Sequence, residues 1–380
     1  MIVRTNDPCF SLTSRRGETT LAIVNAKAII DELFARDWIA DFEQRFERIA
    51  FSGCHEDQPD VGWTHGIIRY FAEESALKTF VLANGELKRS KYEALETEET
   101  PQGPIDIWFH RGNRARRQLE GVQPFYGAKH RVFYPMRDRF ERVLFYKNFV
   151  VAGEDYFFKP VTGKMADCCR ALSTQRPSGK QTFFYPANIQ PRKGQLAFVQ
   201  ALPASVPAGA RFIFCGRIKH PGYFDALIGA LKERQLPSDY LGELGPEQMA
   251  HQFASNGCTV LFSESDHNPR VLYESVVANT PFLVSRTMKV NQGLIQCGFA
   301  IDSCQLFDYW KRLDEVRPNL AKWRARILDE RSCYGVMLAR SFQESSRYRG
   351  IARLARRLGD AVRHARYPRR RRRQWAEVWR

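Results

Sequence analysis

The amino-acid sequence predicts an α/β protein in which two parallel sheets are each covered by helices. Short apolar runs of strand length alternate with longer segments of helical periodicity, which is typical of parallel sheets joined by helices. The alternation stops at a polar stretch near the middle of the chain and then starts again. A chain of 380 residues with 44% hydrophobic residues is large enough to fill two cores. We therefore expect two doubly wound domains.

The first half of the chain has five predicted strands separated by predicted helices. The strands are expected at residues 49–51, 79–82, 105–109, 131–134 and 149–152. The helices are expected at residues 20–47, 62–76, 115–121 and 137–146. The polar segment 84–104 is interpreted as a loop. These elements define a first domain over residues 1–172.

The second half repeats the pattern after a polar segment, 172–180, which is interpreted as an interdomain linker. Strands are expected at residues 182–185, 211–215, 239–241, 259–262, 281–284 and 298–301. Helices are expected at residues 195–202, 223–234, 246–254 and 269–279, and residues 304–366 are expected to be almost wholly helical. The predicted domains are therefore 1–172, 173–335 and a helical, basic segment over 336–380.

The nine cysteines are scattered along the chain and form no C-x-x-C pair. Several lie inside apolar runs, which favours free buried thiols in a reducing compartment over a disulfide framework or a zinc site. We see no signal-peptide pattern at the amino terminus and no apolar run of membrane-spanning length. The expected location is the cytoplasm, either in solution or peripherally on the cytosolic face of a membrane.

The net charge of +16 is concentrated at the end of the chain. Residues 347–380 contain thirteen Arg and two acidic residues, which amounts to +11. Apolar residues fall on one helical face within this segment, and Trp375 and Trp379 follow an Arg run. Basic residues beside interfacial aromatic residues suit an anionic membrane surface. A final helix packed within the fold, a solvated Arg run and nucleic-acid binding are the alternatives.

Polar residues follow the apolar strand predicted at 259–262. Asp266 lies in this polar loop, and Glu274 lies eight residues later in the predicted helix that starts near Pro269. Open α/β sheets bind ligands at the carboxyl ends of their strands. The start of a helix also offers N–H groups that favour an anion. The segment from 258 to 285 is therefore the centre of the predicted site.

A second loop, residues 187–194, joins a predicted strand to a predicted helix. It carries Arg192 and Lys193 beside Gly194, and Gly194 would let the backbone approach a ligand closely. A diphosphate there would meet Lys193 and the N–H groups of the following helix. An ordinary loop with solvated charges is the alternative. Gly216 and Arg217, at the end of the next strand, form either a tight turn or a further ligand contact.

The order of these segments resembles the nucleotide-binding half of retaining glycosyltransferases of the GT-B architecture, most closely the family-four (group 1) type. The resemblance rests on P-R-K-G, a strand ending in C-G, the helix E-Q-M-A-H-Q-F-A, Asp-x7-Glu and T-P-F-L-V, and it covers residues 181–285. It implies two Rossmann-like domains facing across a cleft, followed by a helical segment. The first domain would bind the acceptor and the second a nucleotide-diphosphate sugar.

The resemblance also implies roles for individual residues. Lys193 would contact the donor diphosphate, Glu274 the ribose hydroxyls, and Asp266 would lie near the transferred sugar. Asn188 stands where the family has an arginine, and Arg192 or Arg217 would supply that charge. His267, Asn268 and Pro269 replace the glycines of the family. The remaining residues expected to line the donor site are Gly194, Gly216, Arg270, Val271 and Leu272.

His110 ends the strand predicted at 105–109, and the resemblance implies that it faces the transferred sugar; a structural or merely exposed histidine is the alternative. No Asp-x-Asp stands in a strand-end loop and no His/Cys cluster has metal spacing. We therefore expect no metal or other cofactor, and stabilisation of the leaving group by Lys, Arg and helix dipole.

The sequence thus predicts a hexosyltransferase that moves a sugar from a nucleotide-diphosphate sugar, UDP- or GDP-linked, to a glycan or lipid-linked acceptor. By resemblance it would retain anomeric configuration and serve cell-surface polysaccharide or glycoconjugate synthesis. The alternative is a non-catalytic protein of the same fold that binds a sugar nucleotide or glycan, which the loss of arginine at Asn188 favours. A nucleic-acid binder that uses its basic tail is a third possibility.

Overall fold

The structure is a computed structural model of the 380-residue chain. It describes residues 30–52, 63–83, 86–92, 105–111, 130–134, 150–151, 158–172, 181–264, 266, 268–288, 290–291 and 293–339. These residues form two compact units. The β1–β6 unit comprises the described residues between 43 and 152 together with 338–339, and the β7–β12 unit comprises those of 30–42 and 158–337.

The β1–β6 unit is built on a six-stranded sheet with the order β3-β2-β1-β4-β5-β6. Its strands are β1 Arg48–Ser52, β2 Lys78–Ala83, β3 Glu86–Arg89, β4 Ile107–Arg111, β5 His130–Tyr134 and β6 Val150–Val151. All neighbours are parallel except β3, which is antiparallel to β2. Helix α2 (Trp63–Glu74) joins β1 to β2 and buries Ile67, Ile68 and Phe71.

Residues 86–89 form strand β3, whereas the sequence predicts a loop over residues 84–104. Its sequence, E-L-K-R, is short and mostly charged, so it lacks the apolar run that identifies a buried strand. It lies at the edge of the sheet, where charged side chains are common and discourage pairing with another chain. The antiparallel pairing with β2, rather than its own composition, therefore identifies this strand.

The β7–β12 unit has a second six-stranded sheet, and all of its strands are parallel. The strands are β7 Thr182–Pro186, β8 Arg211–Cys215, β9 Ser238–Tyr240, β10 Cys258–Leu261, β11 Phe282–Ser285 and β12 Gly298–Ile301. The order is β9-β8-β7-β10-β11-β12, so the direction of strand addition reverses between β7 and β10. This is the strand order of Rossmann domains, and their ligands bind at that point of reversal.

Helices cover this sheet and complete its core. They are α3 Gly163–Ala171, α4 Gln195–Gln200, α5 Pro221–Glu233, α6 Pro246–Ser255, α7 Arg270–Val277, α8 Leu306–Trp310 and α9 Arg317–Leu328. Helix α1, Trp38–Glu43, ends where the chain leaves this unit. Trp323 of α9 is fully buried and stacks on Phe158, with ring centroids 5.4 Å apart. The six predicted strands of this half are confirmed, each shifted by at most a residue or two.

The chain enters the β7–β12 unit before α3, whereas the sequence predicts a domain boundary after residue 172. Met165, Ala166 and Cys169 of α3 are buried in the same core as the strands of the β7–β12 unit. The units divide the chain at residues 152 and 153. The predicted linker residues 173–180 and the predicted helices at 115–121 and 137–146 lie outside the described residues.

Two long helices predicted from periodicity are interrupted. Residues 30–34 are helical and α1 begins only at Trp38, so the helix predicted at 20–47 is broken within its described part. The segment predicted as helical from 304 is divided by short 3-10 turns, and residues 330–339 are helical. Residues 340–380, which include the basic tail, lie outside the described residues.

The seven cysteines in the described part of the chain are free thiols, as predicted, and five of them are buried. Burial raises the pKa of Cys169 and of Cys215 to about 12, which keeps both thiols protonated and unreactive at neutral pH. Within the described residues, no helix has the length and apolarity needed to cross a membrane. The same residues contain no cluster of three or more His, Cys, Asp or Glu that could hold a metal ion.

Candidate functional site

Two strand-end loops meet where the strand order of the β7–β12 unit reverses. β7 and β10 are adjacent and parallel, so the loop 187–194 after β7 and the loop 262–269 after β10 leave the same edge of the sheet. The Arg192 carbonyl accepts hydrogen bonds from Ser263 Oγ (2.9 Å) and from the Glu264 N–H (3.3 Å). The site is therefore assembled from residues that lie about 70 positions apart in sequence.

The Tyr185 hydroxyl, at the end of β7, is a second link between the loops. It donates to the Lys193 carbonyl and accepts the Phe262 N–H at 2.8 Å. The side chain is fully buried, and burial raises its pKa well above the ordinary value for tyrosine, so it stays neutral. One buried hydroxyl thus fixes the backbone of Lys193 relative to the start of the second loop.

Gly194 and Gly216 are required by close backbone contacts within the protein. Gly194 has φ +71°, and a Cβ there would lie 2.2 Å from the Phe262 carbonyl oxygen. Gly216 has φ +123°, and a Cβ there would lie 2.6 Å from the Ala187 carbonyl. The need for glycine at position 194 is thus explained by the neighbouring loop, and close approach of a ligand to its backbone stays a prediction. Both glycines let strand-end loops pack together.

Asp266 lies between the two cations of the first loop. Its Oδ1 accepts a hydrogen bond from Arg192 Nη1 at 3.0 Å, and its Oδ2 accepts one from Lys193 Nζ. The side chains of Asp266, Lys193 and Arg192 are 10%, 16% and 48% exposed. The resemblance implies that Asp266 lies near the transferred sugar, and the structure brings it into direct contact with the groups expected to hold the diphosphate.

The start of α4 has an acceptor of its own. The Leu196 N–H donates to the Tyr223 hydroxyl of α5 at 2.9 Å. Burial raises the pKa of Tyr223, which keeps this hydroxyl neutral. The Leu196 N–H therefore has a partner within the protein, and binding of a diphosphate at the start of this helix stays a prediction. Tyr223 was missed because its position depends on the packing of two helices, which the sequence does not specify.

Asn188 joins the loops that follow β7 and β8. Its Oδ1 accepts the Arg217 N–H at 3.2 Å, and its carbonyl accepts Gln195 Nε2 at 2.9 Å. Arg217 itself is largely exposed, and its Nε lies 3.6 Å from Glu243 Oε1. Of the two arginines proposed to replace the family's arginine, Arg192 is therefore the one that lies with Lys193.

Asn268 forms the turn that leads into α7. Its φ is +47°, a left-handed conformation that asparagine tolerates better than most residues, and its Oδ1 accepts the Tyr273 hydroxyl at 2.7 Å. The Asn268 carbonyl accepts a hydrogen bond from the ammonium of Lys159, a residue only 8% exposed. Sequence reasoning missed Lys159, although a lysine within the apolar run F-F-K-P-V is itself a signal of a buried polar contact.

Helix α7 presents Glu274 one turn from its start. The sequence predicts Pro269 in the first turn of this helix, and the structure places it one position earlier, at the N-cap. The N–H groups of Arg270 and Val271 follow in the first turn and have no intrahelical acceptors. The Glu274 carboxylate lies 3.1 Å from Arg270 Nε and is 18% exposed. Burial raises the pKa of Glu274, and the Arg270 guanidinium opposes that shift. Leu272 is buried in the core, so only its backbone is available to a ligand.

His110 is in β4 of the other unit, paired in register with Ser52 and Phe133. It therefore does lie at a strand end, as predicted. His267 lies outside the described residues. The structure thus brings together Arg192, Lys193, Asp266, Asn268 and the start of α7, all in the β7–β12 unit.

Comparisons with known proteins find similar solved structures only. No protein-family model and no curated protein matches the sequence. A glycosyltransferase from Rickettsia africae matches with a TM-score of 0.51 and 12% identity over 80% of this chain and 98% of that one. WaaB, a lipopolysaccharide outer core galactosyltransferase in its apo form, matches with a TM-score of 0.50 and 12% identity over 76% and 97%. HepE from Anabaena, in complex with UDP, matches with a TM-score of 0.45 and 11% identity over 79% and 100%.

These matches establish the fold. The chain is an α/β protein whose structural neighbours are glycosyltransferases of the GT-B type, which confirms the fold class predicted from the sequence. The finer resemblance to the retaining family-four type stays a prediction.

A first prediction concerns the contact between the two loops. Gly194→Ala should destabilise the protein by at least about 2 kcal/mol more than Gly163→Ala, because the new Cβ must displace the Phe262 carbonyl. Gly163 is the matched control: its φ is +60°, yet a Cβ there would have nothing within 4 Å. Both variants are compared by urea denaturation. Equal losses would contradict the close packing of the loops.

A second prediction follows from the buried carboxylate. Since the pKa of Glu274 is raised, the folded protein binds this proton more tightly than the unfolded chain. Its contribution to stability therefore falls as pH rises from about 4.5 through the raised pKa. Glu274→Gln should gain stability relative to the wild type over that window, measured as the free energy of unfolding against pH.

Glu315 provides a control of opposite sign for this measurement. The Arg312 guanidinium lowers the pKa of Glu315, so its stabilising contribution is present above pH 4.5 and is lost as pH falls through the lowered pKa. Glu315→Gln should therefore lose stability relative to the wild type as pH rises. A difference for Glu274→Gln that is independent of pH would contradict the assignment of a buried, ionising carboxylate.

Proposed function

We propose that this chain is a glycosyltransferase that binds a nucleotide-diphosphate sugar at the carboxyl edge of the β7–β12 sheet. The observation that carries the proposal is the contact of Arg192 and Lys193 with Asp266, four residues before the start of α7, at the point where the strand order reverses. Open α/β sheets bind ligands there, and cations with free helix N–H groups are what a diphosphate requires. The GT-B-type fold of the structural neighbours supports the same function.

Each residue of the site has a separate proposed role. Lys193 and Arg192 bind the donor diphosphate and stabilise the charge that develops as it leaves. Glu274 accepts hydrogen bonds from the ribose hydroxyls, for which a carboxylate anchored by Arg270 is suited. The N–H groups of Arg270 and Val271 face the phosphate or the sugar. No metal is required for this arrangement, because the cations and the helix start supply the positive charge.

The reaction itself is proposed to proceed with retention. The bond between the anomeric carbon and the diphosphate oxygen breaks, its electron pair passes to that oxygen, and the acceptor oxygen bonds to the carbon. The departing diphosphate takes the acceptor proton, so that no separate base is needed. The β1–β6 unit is the proposed acceptor domain, with His110 as the proposed residue that contacts the transferred sugar.

The substrate class is proposed from the resemblance in sequence and from one structural neighbour. WaaB is a galactosyltransferase of the lipopolysaccharide outer core, which supports hexose transfer to a glycan or lipid-linked acceptor in cell-surface polysaccharide synthesis. A UDP- or GDP-sugar is the proposed donor.

A non-catalytic sugar-nucleotide-binding protein is the second candidate, and two observations favour it. Asn188 replaces the family's arginine and bonds to the backbone of Arg217. The carboxylate of Asp266 also neutralises part of the cationic charge at the site. Both candidates require a bound nucleotide sugar, and only the first requires transfer or hydrolysis of the donor.

A third prediction tests donor binding. The melting temperature of the wild type should rise with at least one of the UDP-, GDP- and ADP-sugars, each of which carries a diphosphate. Lys193→Met should weaken binding of that donor by about tenfold or more, because a charge-assisted hydrogen bond to the diphosphate is lost. Lys232→Met, which removes an exposed lysine from the end of α5, is the matched control and should bind as the wild type does.

The outcomes of this experiment separate the candidates. No stabilisation by any of the sugar nucleotides would contradict both. Stabilisation without transfer or donor hydrolysis, across a panel of glycan acceptors, would favour the non-catalytic protein. Transfer that disappears in Lys193→Met and Glu274→Ala would establish the enzyme.

A fourth prediction concerns the basic tail, which we propose attaches the protein to the cytosolic face of a membrane. Its charge of +11 and its terminal tryptophans support this, since each basic residue near an anionic surface contributes about 1 kcal/mol. The full chain should co-sediment with phosphatidylserine vesicles at low salt and much less with phosphatidylcholine vesicles. Deletion of residues 347–380 should abolish the difference. Binding to nucleic acid but not to anionic vesicles would overturn this proposal.

A further inference from the structure

The anion site of the β7–β12 unit contains a negative charge of its own. Asp266 binds Arg192 with one carboxylate oxygen and Lys193 with the other. Among these three groups the net charge is +1 rather than +2. Arg270 and Glu274 form a second pair that is neutral overall. The site is therefore less positive than its cations alone suggest.

Asp266 is also held in place from both sides. Before it, Ser263 and Glu264 are hydrogen-bonded to the Arg192 carbonyl. After it, the carbonyl of Asn268 accepts from Lys159 and its side chain accepts from Tyr273. With both flanks anchored, the carboxylate cannot move far when an anion arrives. It acts as a fixed negative charge beside any ligand that Lys193 binds.

The two ligands of a sugar-transfer reaction differ by one charge at this position. The diphosphate of a nucleotide sugar is esterified at both ends and carries two negative charges. The free nucleoside diphosphate left after transfer has a terminal phosphate whose second ionisation has a pKa of about 6, so it carries about three negative charges above neutral pH. The additional charge lies on the phosphate that was joined to the sugar.

We propose that Asp266 is a specificity-determining residue that makes this site prefer the nucleotide sugar over the free nucleoside diphosphate. The inference rests on the proposed function and concerns the same site. Repulsion between the fixed carboxylate and the additional phosphate charge weakens product binding more than donor binding, and so favours product release. This role differs from the sugar-positioning role that the resemblance implies for Asp266.

The fifth prediction compares ligand pairs by calorimetry at pH 8. The pairs are UDP with UDP-glucose, GDP with GDP-mannose, and ADP with ADP-glucose. In Asp266→Asn, the affinity for the nucleoside diphosphate should rise by a factor that is about threefold to tenfold larger than the factor for its sugar ester, as expected for one unit charge near a partly solvated site. Asp266→Ser should behave in the same way, and its measurement guards against a folding defect of the asparagine variant.

Asp239→Asn is the matched control. Asp239 pairs with Arg211 at the other end of β8, at 2.6 Å, so its neutralisation should leave the ratio of the two affinities unchanged. Equal changes for both ligands in Asp266→Asn and Asp266→Ser, or weaker binding of the nucleoside diphosphate, would overturn the inference and leave the proposed function intact. A wild type that binds none of the six ligands would instead contradict the proposed function itself.

Discussion

The parallel pairing of β7 with β10 is the constraint on which the candidate site depends. Cys258 and Thr259 lie opposite Phe183 and Phe184, so the two strands end at the same edge and their loops must share the space beyond it. The left-handed glycine at 194 makes that sharing possible, because its backbone packs against the Phe262 carbonyl. The charges of the site are consequences of this arrangement, since Asp266 reaches Arg192 and Lys193 only when the loops touch.

Much of the fold could be predicted from the sequence because its signals are local. The strands β7, β8, β10 and β11 are largely apolar runs, and burial on both faces of a parallel sheet requires such runs. β3 could not be predicted in this way, because an edge strand of four mostly charged residues carries no apolar run. The position of α3 likewise depends on packing against α6 and α7 rather than on its own composition.

The sequence proposes residues for the candidate site, but it does not specify the contacts between them. The order of the segments and the family resemblance predict that Lys193, Asp266 and Glu274 belong to one site, yet which cation faces which carboxylate is decided by tertiary packing. Tyr223 and Lys159 contribute hydrogen bonds across 27 and 109 positions of sequence, and no local pattern specifies such pairs. Asn188 illustrates the same limit, because its difference from the pattern that the sequence resembles is visible in sequence but its bond to the Arg217 backbone is not.

The Tyr185 hydroxyl has a consequence for motion at this edge of the sheet. It bonds simultaneously to the Lys193 carbonyl and the Phe262 N–H, so displacement of either loop leaves a buried polar group without a partner. Such a group costs about 1–3 kcal/mol, which makes independent movement of one loop unfavourable. The two loops should therefore open together as a single cooperative segment, and the hydrogen-exchange rate of the Phe262 amide should report on the mobility of Lys193.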